Sequence, residues 1–309
     1  MSAILTTKTM LFLAFASFLS DKYHKTKSAF RKRIYLLLAI GIFILNSLVY
    51  DASNRATMVM CALASLTVVI SLFGYRVRKF LPIILVVGVV LVWRLFSFGT
   101  LGVMSAASLL ERQGYIAILS NVVDLYSNGI STLAHSYNMY EFIESRMTVS
   151  TFISELIKSN NIFTLPGFWV VGNWIRDVPS IQNLFNETLV AGKAYILPNA
   201  GLAMYLSTPA VGILIDMVFH FLIVYSVFTF HRLKEISNSI SYKYLYSYCE
   251  MICAFMIMNN IMIAIGLLTD LPFLLWIFIS VNDLGHRIKL KWVSSIAKAP
   301  LSTKYGGAA

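Results

Sequence analysis

Charge is scarce in this sequence. Asp, Glu, Lys and Arg make up 13% of its 309 residues, where soluble domains carry roughly 25%. A chain that is 58% hydrophobic, with a mean hydropathy of +0.74, cannot hide its apolar surface from water; a bilayer removes the need. Cysteine is nearly absent. Cys61, Cys249 and Cys253 all fall in apolar segments, which argues against a disulfide framework and predicts buried thiols. No further ligands stand near Cys249 and Cys253, so no metal site is expected. A Walker A motif, GxGxxG, zinc spacing and a DxD-like metal–nucleotide motif are all missing. Their absence disfavours an ATPase or a nucleotide-sugar enzyme, and no cofactor is expected. No internal repeat or low-complexity tract stands out.

Long hydrophobic runs are what the chain has. A transmembrane helix needs about 20 mostly apolar residues. That ruler predicts seven spans, near Ile4–Leu19, Ile34–Tyr50, Ala56–Phe73, Phe80–Phe98, Pro209–Phe230, Leu245–Leu268 and Leu271–Val281. Thr269-Asp270-Leu271-Pro272 permits a tight hairpin between the last two. The net charge of +11 would point to nucleic acid in a soluble protein. Here it reads as basic loops, and no nucleic-acid partner is expected. Basic clusters occupy Lys22–Arg33, Arg76–Lys79, Arg232–Lys243 and Arg287–Lys304. With seven spans all four fall on one side, which the positive-inside rule makes cytoplasmic. The same topology places the N-terminus outside. An external end that starts directly with a span implies an odd number of further spans upstream.

The fold expected is therefore an all-α, polytopic transmembrane helical bundle. Four spans occupy 1–98, a large external loop 99–208, three spans 209–285 and a basic cytoplasmic tail 286–309. The loop is rich in apolar and aromatic residues. Val149, Phe152, Ile153, Leu156 and Ile157 recur at helical spacing, and Leu109 to Tyr126 holds another amphipathic stretch. A small external cap of short helices follows. Leu165-Pro166-Gly167 marks a turn, and Trp169 and Trp174 suit the membrane interface.

Five arginines lie outside the cytoplasmic clusters: Arg55, Arg94, Arg112, Arg146 and Arg176. A guanidinium binds phosphate bidentately and stays charged when partly buried. Arg55 follows Asp51-Ala52-Ser53-Asn54 at the start of the third span, where helix N–H groups also favour an anion. Two readings stand for each. Arg55 binds an anion or pairs with Asp51; Arg94 binds one or snorkels to headgroups. Arg112, Arg146 and Arg176 bind one or form surface pairs with Glu111, Glu144 and Asp177. Asp216 and His220 share a face of the fifth span, as a proton relay or as a hydrogen-bonded pair fastened to Asn259 or Asn260. His135 is either a base or an exposed loop histidine.

The layout resembles the Wzy-type O-antigen and capsular polysaccharide repeat-unit polymerases, which share a superfamily with the O-antigen ligases. Ser53-Asn54-Arg55-Ala56 resembles the family's small-residue–Arg–small-residue turn. Ser127–Leu133 with Ile162–Gly167 resembles its external loop. Gly201 to Gly212, with Tyr205 and Pro209, resembles the loop's return to the membrane. The likeness covers about Leu36–Phe230. It implies a metal-independent glycosyltransferase of the bacterial inner membrane, acting on undecaprenyl-diphosphate-linked glycans at the periplasmic face. It implies Arg55, Arg94, Arg176, Arg146 and Arg112 at the diphosphate, and His135 or Glu141 deprotonating the acceptor. Membrane lipid, a chain-length regulator and a flippase are the partners implied. An O-antigen ligase is the nearest alternative. A polysaccharide or lipid transporter is the rival from another class, and would favour internal repeats and broken helices.

Overall fold

The computed structural model describes residues 2–48, 55–80, 82, 130–146, 149–159, 180–188, 196–206, 208–256 and 260–298. Regular structure among them is α-helical, with no strand. Helices α1 (Ser2–Lys25), α2 (Ala29–Leu48) and α3 (Arg55–Phe73) pack together, followed by the short α4 (Tyr75–Arg78). Further along come α5 (Ile130–Asn138), α6 (Tyr140–Glu144), α7 (Val149–Lys158), α8 (Ile181–Glu187) and α9 (Asn199–Leu206). The C-terminal group is α10 (Pro209–Ile236), α11 (Ile240–Phe255), α12 (Ile261–Thr269) and α13 (Leu271–Lys298).

The main core joins α1, α2, α3, α11 and α13 through Phe12, Phe43, Val68, Tyr244, Ile252 and Leu275. Ala16, Ala39 and Ala64 are almost wholly buried in it, and small residues let helix backbones approach closely. All three thiols are free, and all are buried. Tyr75–Lys79 was expected as a loop. It holds α4 instead, reached through Gly74 at φ 66°, a left-handed conformation that glycine adopts without penalty. Arg76 of α4 donates to the buried Tyr23 hydroxyl.

Among the described residues, two stretches are long and apolar enough to cross a membrane: Pro209–Ile236, and Ile261–Lys289 taken through the Asp270 interruption. The first has a mean hydropathy of 2.2 with only 11% of its apolar window buried. Pro209 sits in its first turn, where the missing N–H costs no helical bond. Ile213, Leu214, Met217, Val218, Phe221 and Val224 are all exposed along it.

The path after α11 departs from the expected sixth span. Leu245–Leu268 reads as one apolar run, but α11 ends at Phe255 and α12 begins only at Ile261. Asn260 caps α12, its side chain accepting from the Ile263 N–H at 3.1 Å. The same amide donates to the Leu197 carbonyl at 2.8 Å. Asn199 answers from the start of α9: it accepts from the Ile261 N–H at 2.8 Å and donates to the Met256 carbonyl at 3.5 Å. Two asparagines thus satisfy the backbone freed by the break, which buried polar groups require. The hairpin expected at Thr269–Pro272 is a one-residue interruption at Asp270, after which Leu274 N–H returns to the Asp270 carbonyl.

Helix α9 runs antiparallel beside α10. Met204 lies at Gly212, Ala200 shares a groove with Asp216, and Leu197 shares a core cluster with Phe219. Phe219 is ten residues into α10, about 15 Å along its axis. A Cβ on Gly212 would stand 2.8 Å from the Met204 Cα and 3.0 Å from its nitrogen. Backbone cannot swing aside as a side chain can. Gly212→Ala is therefore expected to lower stability by about 1–3 kcal/mol. Gly41→Ala, with nothing within 4 Å of its added carbon, is the control and should be neutral or stabilising. Thermal melts of both variants in detergent test the pair, and equal midpoints would refute the close contact.

Candidate functional site

A second core cluster gathers the short helices: Ile143 from α6, Ile181 and Phe185 from α8, Leu197 just ahead of α9, Leu202 and Tyr205 from α9, and Met262 from α12. The helical spacing at Val149–Ile157 matches α7. Its Glu155, 8% exposed, accepts from the Ser180 hydroxyl and the Ile181 N–H at the start of α8. A carboxylate at a helix N-terminus meets both unpaired N–H groups and the positive end of the dipole. Tyr205 donates from its hydroxyl to the Ser136 carbonyl at 3.0 Å and so ties α9 to α5. Burial pushes its phenol up to about 12.

Between α5, α9 and α10 lies a groove of about 420 Å³, lined by Leu133, Tyr137, Asn138, Met204, Ile213 and Asp216 among others. Its volume falls within the range of small-molecule sites. Its lining is mostly apolar, and Asp216 is the acidic member among the lining residues. Asp216 and His220 face each other as their spacing implies, with Oδ1 and Nδ1 3.1 Å apart. The better-aligned bond runs from His220 Nδ1 to the Asp216 main-chain carbonyl, at 2.9 Å. Oδ1 itself is shut off from solvent and makes no hydrogen bond. Asn260, expected as a partner of this pair, is committed to Leu197 and Ile263 instead.

His135 and Arg146 flank the C-terminal end of α8. Thr188 donates its hydroxyl hydrogen to the Phe185 carbonyl at 2.6 Å. It therefore accepts from His135 Nε2–H at 2.9 Å, which leaves the neutral ring's lone pair on Nδ1. The His135 ring also packs edge-on to Phe185, with centroids 5.7 Å apart. Arg146 pairs with Glu187 at 4.0 Å rather than with the expected Glu144, and lies over the Phe142 ring at 4.1 Å. Both charges of that pair are at least half exposed, so it adds little stability. Glu141 is exposed in the first turn of α6.

A smaller cavity of about 240 Å³ lies between α7, α8 and α12, beside Glu155, Lys158, Gln182 and Asn260. Among the described residues no group of three or more His, Cys, Asp or Glu comes together. Arg94, Arg112 and Arg176 lie outside the described residues, and of Arg55 the structure describes only its backbone, at the first position of α3. Sequence reasoning missed Asn199 and Glu155, and assigned Asn260 a different role from the helix cap it makes. Each had a local signal: an asparagine just ahead of an apolar helical run is a standard N-cap, and an acid on the apolar face of an amphipathic helix needs a buried partner. No protein-family model, curated protein or solved structure matches the chain.

Proposed function

We propose that this chain is a multi-pass protein of the bacterial inner membrane. In this reading it is a glycosyltransferase that polymerises undecaprenyl-diphosphate-linked repeat units into O-antigen or capsular polysaccharide. The helices α5 to α9 form its cap on the periplasmic side, and the basic clusters face the cytoplasm. One observation carries the reading. An apolar groove with a carboxylate in its wall opens between α10, whose apolar side chains are exposed, and α5, which bears His135. Such a site suits an amphiphile with a prenyl tail and a polar head. The diphosphate is a good leaving group, so catalysis requires charge stabilisation and alignment of donor with acceptor. Arg55, Arg94, Arg112, Arg146 and Arg176 supply the positive charge, and no metal is required.

The break between α11 and α12 favours a second reading. Discontinuous helices whose ends meet inside a bundle are a feature of transporters, so a flippase for the same lipid-linked glycan is the rival. Deletion of the gene in its host, followed by surface polysaccharide banding, separates the cases. Loss of the polymerase leaves single repeat units attached to the surface anchor. Loss of an O-antigen ligase leaves none. Loss of a flippase leaves lipid-linked units at the cytoplasmic face. A full polysaccharide ladder in the deletion strain refutes all three.

A further inference from the structure

Glycosyl transfer to a hydroxyl needs a base as well as a leaving group. The two bases implied by resemblance, His135 and Glu141, are not among the residues that line the groove. His135 holds its Nε2 hydrogen against Thr188 and its ring against Phe185. Glu141 stands exposed on α6 and is not among the residues lining the groove. Asp216 differs on each count. It lines the groove with its side chain 24% exposed, while its Oδ1 is buried beside His220. His220 Nδ1 is 3.1 Å from that oxygen and 2.9 Å from the Asp216 main-chain carbonyl. A carboxylate side chain thus stands in the wall of an otherwise mostly apolar groove. Asp216 lies seven residues into α10, and ionisable groups kept within membrane helices mark functional sites.

We propose that Asp216 is the catalytic base that takes the proton from the attacking acceptor hydroxyl. The assignment rests on the reading of the chain as a lipid-linked glycan polymerase. The acceptor oxygen forms its bond to the anomeric carbon while the bond from that carbon to the diphosphate oxygen breaks. The bonding pair leaves with the lipid diphosphate. The hydroxyl proton passes to the Asp216 carboxylate and then to water at the groove mouth, which restores the base. The apolar walls formed by Leu133, Met204 and Ile213 limit competing attack by water.

The test uses the full-length protein in nanodiscs with undecaprenyl-diphosphate-linked repeat unit extracted from the host. Polymer formation and thermal midpoint are measured together. Asp216→Asn keeps size and hydrogen-bonding capacity but not basicity, and turnover should fall about 10²- to 10⁴-fold with the midpoint unchanged. Asp216→Ala should be equally slow and should recover turnover when formate is added, which replacement of a merely structural carboxylate would not give. A folded Asp216→Asn with wild-type turnover overturns the assignment. So does a folded Asp216→Ala that formate leaves inactive. A wild-type chain that polymerises nothing overturns the parent reading instead, which separates the two failures. If Asp216→Asn does not fold, the formate result on Asp216→Ala decides.

Discussion

Arginine in place of Phe221 is expected to keep α10 from inserting into a bilayer. Phe221 lies twelve residues beyond Pro209, about 18 Å along the helix, and is 67% exposed. Its ring stacks on Tyr225 of the same helix, with centroids 6.2 Å apart. In water such a substitution would relieve an exposed apolar patch and improve solubility. In lipid it places a guanidinium near the centre of the hydrocarbon, at a cost of roughly 2.5–3.5 kcal/mol. That corresponds to about two orders of magnitude in the insertion equilibrium. The measurement is the fraction of protein that survives carbonate extraction in membranes, compared across wild type, Phe221→Leu and Phe221→Arg. Phe221→Leu should behave as wild type. Phe221→Arg should lose most of its membrane-integrated protein. A soluble, folded Phe221→Arg chain would mean that α10 never faced lipid.

The helices that rest on local pattern could be read from the sequence. Pro209 ahead of an apolar run marked the start of α10, and the apolar period of Val149–Ile157 marked α7. Helix α1 runs on to Lys25, past the apolar stretch ending at Leu19, with Tyr23 buried in the main core and Asp21 and Lys25 paired one turn apart. The break after Phe255 could not be read in that way. Residues 245 to 268 are apolar almost throughout, and lipid would accept them as one helix. What ends α11 is Asn199, more than fifty residues earlier, whose amide reaches Met256 and Ile261. At the candidate site the same division holds. The Asp216–His220 pair follows from a spacing of four on one helix. The groove around it needs α5 and α9, which chain topology alone does not place against α10. Arg146 shows the limit of local pairing, since Glu187 on another helix takes the place of Glu144 on its own.

The asparagine junction should be among the most sensitive points of the fold. Asn260 is 3% exposed and Asn199 2%, and together they satisfy the Leu197 and Met256 carbonyls and the Ile261 and Ile263 N–H groups. Asn260→Leu is close in volume but leaves the Ile263 N–H and the Leu197 carbonyl without partners. Each buried orphan costs about 1–3 kcal/mol, so a loss of roughly 2–5 kcal/mol is expected. Asn260→Ser is the informative intermediate. Serine caps a helix nearly as well as asparagine but is too short to donate to Leu197, so about half the loss should return. Asn199→Leu should cost a comparable amount. Because both side chains hold the same junction, the double variant should cost less than the sum of the singles. Thermal and denaturant melts in detergent give these differences. If Asn260→Leu melts at or above the wild-type midpoint, the junction is held by apolar packing, and these hydrogen bonds are incidental to it. If the loss appears and serine halves it, the break in the helix exists because two distant asparagines make it affordable in an apolar surround.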